Sequence, residues 1–261
     1  MFTLGIDVGS SSSKAVILKD GKEVIKALAV QAGTGSSGPG RVLHRLFQDT
    51  DLTMKDMDYS IATGYGRFSV EGVNKQVSEI TCHAKGIYFL LPNARTIIDI
   101  GGQDVKAISI DERGNILKFF MNDKCAAGTG RFLEVMACVL EISLADMGKE
   151  HFKSTHPAKV SRTCTVFAES EVISLLSQKI KKEDILYGIH DSVASKACAL
   201  ANRATIKEDV VMCGGVAQNA GVVDVLSKLM GKPITVAPHP QLTGALGAAL
   251  IGVHELEKNR D

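Results

Sequence analysis

Leu4-Gly-Ile-Asp-Val-Gly-Ser-Ser-Ser-Ser-Lys-Ala-Val-Ile-Leu18 returns as Ile97-Ile-Asp-Ile-Gly-Gly-Gln-Asp-Val-Lys-Ala-Ile-Ser-Ile110 when Asp7 is aligned on Asp99. Gly9 then falls on Gly101, and Lys14-Ala15 on Lys106-Ala107. Each copy is an apolar run ending in Asp-x-Gly, a short loop of small and polar residues, and a second apolar run that reaches a turn. The turns are Asp20-Gly21 and Arg113-Gly114. Asp-Gly between apolar runs is a strong hairpin signal, so each half is expected to open on antiparallel strands and not on a βαβ unit.

Helical periodicity follows in both halves, over Arg41–Gln48, Gly130–Leu140, Glu169–Ser177, Asp184–Arg203 and Val216–Leu229. The tail, Leu242–Lys258, reads as a helix with an Ala/Gly-rich first part and a charged end. The fold class is therefore α/β. The clearest breaker before the second repeat is Leu91-Pro92-Asn93. A first lobe over 1–93, completed by the tail at 242–261, and a second over 94–241 are expected. A length of 261 residues, 45% hydrophobic, suits two such cores.

The 30 basic and 29 acidic residues leave a formal charge of +1, with no clustered basic run of the kind a nucleic-acid partner needs. The first residues carry an Asp and lack a basic start and a cleavage site, and no stretch approaches about 18 uninterrupted apolar residues. The expectation is a cytoplasmic protein with neither nucleic acid nor membrane as partner.

A strand ending in Asp-x-Gly before small hydroxyl residues sets a carboxylate beside backbone N–H groups that can face an anion. Gly9 and the run Ser10, Ser11, Ser12 and Ser13 suit phosphate oxygens. Asp7 and Asp99, one from each half, are expected to face each other across a cleft, hold hydrated Mg²⁺ and orient an attacking water. One Asp-x-Gly alone is an ordinary turn. Two at matched offsets, with Gly214-Gly215 as a third glycine loop after Asp209-Val-Val-Met-Cys213, point to a nucleotide. No GxxxxGK[ST] string occurs, which excludes a P-loop enzyme.

Six cysteines are present and none forms a CxxC pair. Cys125 and Cys164 each stand just before a helical segment, where a helix N-terminus favours thiolate. Cys138 and Cys198 fall inside apolar helices, Cys213 ends a strand and Cys82 precedes His83 in a helical stretch, so all four are expected to pack. A [4Fe–4S] cluster takes four thiolates, and a two-fold dimer would bring two such pairs together. The cysteine pattern alone leaves that open.

The three glycine loops, Asp7–Lys14, Asp99–Lys106 and Met212–Asn219, resemble those of the superfamily of actin, Hsp70-type chaperones and sugar kinases, known as ASKHA. The resemblance implies two duplicated ribonuclease-H-like, actin-like ATPase lobes with a nucleotide cleft between them. By it, Gly9, the four serines, Lys14, Gly101, Gly102, Gly128, Thr129, Gly130, Gly214, Gly215, Gln218 and Gln241 would hold ATP or ADP. Asp7, Asp99, Gln103 and Asp104 would serve hydrolysis and Mg²⁺, the split between Gln103 and Asp104 left open. Gly128-Thr129-Gly130 reads equally as a flexible start to its helix or as an ordinary capped turn.

Longer strings carry a narrower resemblance: Ile98-Asp-Ile-Gly-Gly-Gln-Asp-Val-Lys106, Met121-Asn-Asp-Lys-Cys-Ala-Ala-Gly-Thr-Gly-Arg-Phe-Leu133, Cys164-Thr-Val-Phe-Ala-Glu-Ser-Glu-Val-Ile173, Ala62-Thr-Gly-Tyr-Gly-Arg67 and Gly214-Gly-Val-Ala-Gln-Asn219. These look like the activators (component A, archerase) of 2-hydroxyacyl-CoA dehydratases and the related ATPase subunits of benzoyl-CoA reductases. The resemblance implies an oxygen-sensitive homodimer whose Cys125 and Cys164 hold one [4Fe–4S] cluster between subunits. Ferredoxin or flavodoxin would load the electron, ATP turnover would drive it on, and a 2-hydroxyacyl-CoA dehydratase would receive it. The rival readings are the ATPase subunit of a benzoyl-CoA reductase and, from another class, a small-metabolite kinase with Asp99 as base.

Overall fold

The computed structural model describes residues 1–35, 37–48, 50–161 and 164–258. Arg162 and Thr163 of the Cys164 string and the last three residues of the tail lie outside the described residues. The strands are β1 (Phe2–Val8), β2 (Ser13–Lys19), β3 (Glu23–Val30), β4 (Tyr59–Thr63), β5 (Lys75–Gln76), β6 (Thr96–Ile100), β7 (Val105–Ile110), β8 (Ile116–Asn122), β9 (Val210–Cys213) and β10 (Ile234–Val236). The α-helices are α1 (Gly38–Gln48), α2 (Glu79–Leu90), α3 (Gly130–Leu140), α4 (Leu144–His151), α5 (Thr165–Ser177), α6 (Lys182–Ala204), α7 (Ala220–Met230) and α8 (Thr243–Lys258).

The chain divides into two compact units. One comprises residues 1–94, 110–117 and 237–261, the other 95–109 and 118–236.

In the first unit the sheet runs β3-β2-β1-β4-β5. β1 pairs antiparallel with β2, setting Asp7 opposite Lys14, and parallel with β4, setting Asp7 opposite Thr63. The β2–β3 turn takes positive φ at both Asp20 and Gly21, the conformation that lets a tight hairpin follow the strand twist. Leu4, Ile6, Val8, Ala15, Ile17, Val42 and Leu46 form a core between the sheet and α1. α8 lies on the sheet's other face, and its Ala/Gly-rich first half has a steric cause. A Cβ on Gly247 would run into the Cys82 carbonyl of α2, and one on Gly5 into the Ala245 carbonyl, so backbones meet where a side chain would hold them apart.

In the second unit the sheet runs β8-β7-β6-β9-β10, the same order as in the first. β6 pairs antiparallel with β7, Asp99 opposite Lys106, and parallel with β9, Asp99 opposite Cys213. The duplication read from the sequence is thus a duplication of topology and register. α3 to α7 supply the core, with Phe132, Met136 and Leu140 at helical spacing on the buried stripe of α3 beside Ile185, Ile189 and Val193 of α6.

Two helical spans are revised and one helix is added. The span 216–229 is two elements, a 3-10 turn at Gly215–Gln218 and then α7. Asn219 divides them, because its side chain accepts the N–H groups of Gly221 (3.0 Å) and Val222 (3.2 Å) and restarts the helix as an N-cap. α5 begins at Thr165, directly after Cys164 as expected there, and four residues ahead of the periodic signal. α4 was not anticipated, although Ser143 caps it by accepting the Asp146 N–H at 3.1 Å. No helix among the described residues is long and apolar enough to cross a membrane.

Candidate functional site

Each repeat builds the same loop from the same bonds. In the first unit the Gly9 N–H donates to the Ser12 carbonyl (3.0 Å), and in the second the Gly101 N–H donates to the Asp104 carbonyl (2.9 Å). Both close a tight turn straight after the Asp-bearing strand. The cross-strand lysines then reach back to the carboxylates. Lys14 Nζ lies 3.2 Å from Asp7 Oδ2, and Lys106 Nζ lies 3.0 Å from Asp99 Oδ2 and 2.8 Å from Asp104 Oδ1. All four paired groups are largely withdrawn from water, so each ion pair fixes the rotamer of its aspartate.

The parallel neighbours complete the copy. Gly64 follows directly on β4 and Gly214 on β9, both at positive φ (87° and 84°). A Cβ on Gly64 would collide with Asp7 Oδ1 and the Val8 carbonyl, and one on Gly214 with Asp99 Oδ1 and the Ile100 carbonyl. Only glycine fits a backbone that turns left-handed directly over a carboxylate. The sequence reading assigned Gly214 and gave Gly64 no role, although the offset from each strand end was the available signal.

The remaining phosphate-loop candidates separate by what they touch. Ser10, Ser11 and Ser12 are half-buried, whereas Ser13 is buried and donates its hydroxyl to the Ala32 carbonyl at 2.7 Å, holding the start of β2. Gln103 is exposed at the loop tip and Asp104 is committed to Lys106. Gly215 and Gln218 are exposed on the 3-10 turn. Gln241 is half-buried in the turn before α8, whose Gly244 faces Asp7.

Thr129 is fully buried, its hydroxyl donating to the Ala126 carbonyl at 2.6 Å. Its neighbours tie α3 to the second Asp-x-Gly loop. The Gly130 N–H donates to the Gly101 carbonyl and the Arg131 N–H to the Gly102 carbonyl, both at 2.8 Å. Cys125 lies five residues before α3 and Cys164 is the N-cap of α5, a helix packed on α3. Both thiols are half-buried. The expectation that α3's own N–H groups would brace Cys125 is corrected for its first two, which are spent on the Gly101 and Gly102 carbonyls. Lys196 of α6 stands at the sulfur instead, its Nζ 3.8 Å from Cys125 Sγ.

Of the other cysteines, Cys82 and Cys213 are buried, and burial pushes the Cys82 thiol up to about 12. Cys198 packs part-buried against the second core. Cys138 departs from expectation: it is exposed, because the apolar residues of α3 outnumber the positions on its buried stripe.

The family model for BadF/BadG/BcrA/BcrD ATPases matches residues 4–252. The chain belongs to that family. It is 60% identical over 258 residues to an activator of lactoyl-CoA dehydratase from Anaerotignum propionicum, covering 99% of this chain and 100% of that protein. The structure of the activator of the 2-hydroxyisocaproyl-CoA dehydratase from Clostridium difficile with bound ADPNP superposes with a TM-score of 0.96 at 48% identity, covering 100% of this chain and 97% of that one. Component A of the Acidaminococcus fermentans (R)-2-hydroxyglutaryl-CoA dehydratase superposes with a TM-score of 0.94 at 53% identity, covering 98% and 99%. The α/β fold of two like-wired sheets and the ATPase assignment both follow.

In this family member one buried network went unread in the sequence. Asn219, whose Oδ1 is fixed by the α7 amides, places its Nδ2 3.1 Å from His190 Nε2. His190 Nδ1 meets His151 Nδ1 at 3.0 Å, and His151 Nε2 meets Asp224 Oδ2 at 3.1 Å. An amide N–H₂ can only donate, so His190 accepts at Nε2 and carries its proton on Nδ1. His151 then accepts at Nδ1 and donates from Nε2 to the carboxylate. Both rings are neutral: burial, followed by the nearby His151, pushes His190 down to about 3, and burial lowers His151 as well. The chain of bonds fixes the end of the 214–219 loop to α4 and α6. Histidines 39 residues apart on separate helices give no local sequence signal.

Proposed function

We propose that this ATPase couples hydrolysis of Mg²⁺-ATP to delivery of one low-potential electron from a [4Fe–4S] cluster to a 2-hydroxyacyl-CoA dehydratase. The cluster would be shared by two copies of the chain through Cys125 and Cys164, and loaded by ferredoxin or flavodoxin in an oxygen-free cytoplasm. The observation that carries the reading is the pair of hydrogen bonds from Gly130 and Arg131 to Gly101 and Gly102. They bind the start of α3, just after the Cys125 segment, to the second Asp-x-Gly loop.

The residues fit the group. Two half-buried thiols, one ahead of each of two packed helices and one with a lysine ammonium at its sulfur, supply half of a four-sulfur site with cationic support. A bound cluster supplies the one-electron carrier. The protein would supply nucleotide sensing: both Asp-x-Gly loops would contact phosphate, Asp7 and Asp99 would hold hydrated Mg²⁺, and Gly214, Gly215 and Gln218 would meet the adenosine. Gln103, exposed at the loop tip, positions water, while Asp104 is kept by Lys106 as a fixed charge. Loss of the γ-phosphate lets Gly101 and Gly102 shift, and α3 shifts with them. The names of the relatives support a dehydratase as the partner.

Anaerobic purification with iron and sulfide analysis tests this. About four irons per dimer, lost in Cys125→Ser and in Cys164→Ser, is the expected result. Full iron in both variants contradicts it.

A further inference from the structure

We propose that Lys196 is a positioning residue for the redox centre, setting its reduction potential through a hydrogen bond to the Cys125 sulfur. The inference rests on the reading of Cys125 as a cluster ligand and goes beyond it. Lys196 lies on α6, 71 positions along the chain, and touches the Cys125 loop at three places. Its Nζ is 3.8 Å from Cys125 Sγ and 3.1 Å from the Ala127 carbonyl. Its alkyl stem lies across Gly128, where a Cβ would come within 2.8 Å of Lys196 Cδ. Gly128 sits at φ +96°, so this loop is shaped both by its own backbone and by the lysine laid over it.

Three of the backbone donors at this end of α3 are already occupied. The N–H of Thr129 goes to the Ala126 carbonyl, and those of Gly130 and Arg131 go to the phosphate loop. The ammonium is therefore the charged donor directed at the sulfur. A cation that donates to a ligand sulfur stabilises the more negative, reduced form of an iron–sulfur centre, and hydrogen bonds to sulfur are among the levers that set its potential. The same ammonium holds the Ala127 carbonyl, so any movement of the 125–128 loop relative to α6 changes the N–H···S contact. That gives nucleotide-driven motion of α3 a direct route to the potential.

A lysine that only braces a loop would leave the potential alone, and this separates the two roles. The test uses the full-length protein purified anaerobically as wild type, K196M and K196R, with iron content, ATP binding and an EPR-monitored redox titration for each. Methionine keeps the stem over Gly128 and removes the donor; arginine restores a charged donor. The expected result is full iron in K196M with a midpoint shifted to more negative potential, and a midpoint near wild type in K196R. Should K196M lose iron while still binding ATP, retention of iron by K196R supports the charged contact and loss in both overturns it. Full iron and an unmoved midpoint in K196M also overturn it. Wild-type protein without iron removes the cluster reading itself, and the proposal falls with it.

Discussion

Lys106 stands directly across the strand pair from Asp99, with its Nζ 3.0 Å from Asp99 Oδ2 and both side chains nearly sealed from water (2% and 4% exposed). The same ammonium lies 2.8 Å from Asp104 Oδ1. Removing one partner of a buried pair leaves an uncompensated charge, so Lys106→Met is expected to destabilise the second unit by about 3–5 kcal/mol. In the first unit Lys14 is 14% exposed and, among the described residues, pairs with Asp7 only, so Lys14→Met should cost less. Urea unfolding of both variants checks this, and equal losses would show that burial is not what distinguishes the two copies.

Gly64 and Gly214 hold their left-handed backbones against Asp7 and Asp99. An alanine at either position must displace the carboxylate or the turn. Gly64→Ala and Gly214→Ala should each lower ATP turnover on the order of 10²-fold, the usual consequence of an ångström-scale misplacement. They should act alike, although only Gly214 was expected from the sequence to meet the nucleotide. Steady-state phosphate release is the readout, and a Gly64→Ala enzyme with normal turnover would remove Asp7 from the machinery.

The neutral pair His190 and His151 makes stability depend on pH. The unfolded chain takes up a proton on each histidine near pH 6.5, whereas folded His190 refuses it until about pH 3. Its folded value is depressed, so the unfolded state binds more protons below 6.5. Stability is complete above that pH and is lost as pH falls, by about 1.4 kcal/mol per pH unit for His190 alone. Thermal unfolding between pH 8 and 5 should show a Tm that is flat and then falls. His190→Gln removes the titrating group, so its curve should fall less steeply; an unchanged slope would place the pH dependence elsewhere.

How much of this was legible is a matter of distance along the chain. The paired Asp-x-Gly strands and their lysines lie within a dozen residues of one another, so alignment of the two halves gave both the hairpins and the Asp99–Lys106 partnership's raw material. Gly64 stood at a matched offset and was missed because Thr63-Gly64 and Cys213-Gly214 share one residue type. Lys196 and the histidine pair had no local signal at all. Periodicity reports only that α6 is a helix, and which of its side chains reaches Cys125 is fixed by how α6 packs on α3. The break at Asn219 was readable in principle as a cap, but the apolar period running through it outweighed the single polar residue.

The two bonds from Gly130 and Arg131 to Gly101 and Gly102 give the last prediction, which needs neither a cluster nor a partner enzyme. Amide exchange at those two positions requires the phosphate loop and the start of α3 to separate. If a nucleotide orders the loop at Gly101 and Gly102, it must also slow exchange at Gly130 and Arg131, because the acceptors it immobilises are theirs. Hydrogen exchange on apo protein with and without a non-hydrolysable ATP analogue should therefore show protection rising together over residues 99–104 and 125–131. Replacing Gly101 by alanine pushes a Cβ to within 2.5 Å of Asp104 Oδ1, which disturbs the loop without touching α3. In that variant the analogue should fail to protect 125–131. Protection confined to 99–104 in the wild type would mean that the phosphate loop moves independently of the cysteine segment, and hydrolysis would then need another route to it.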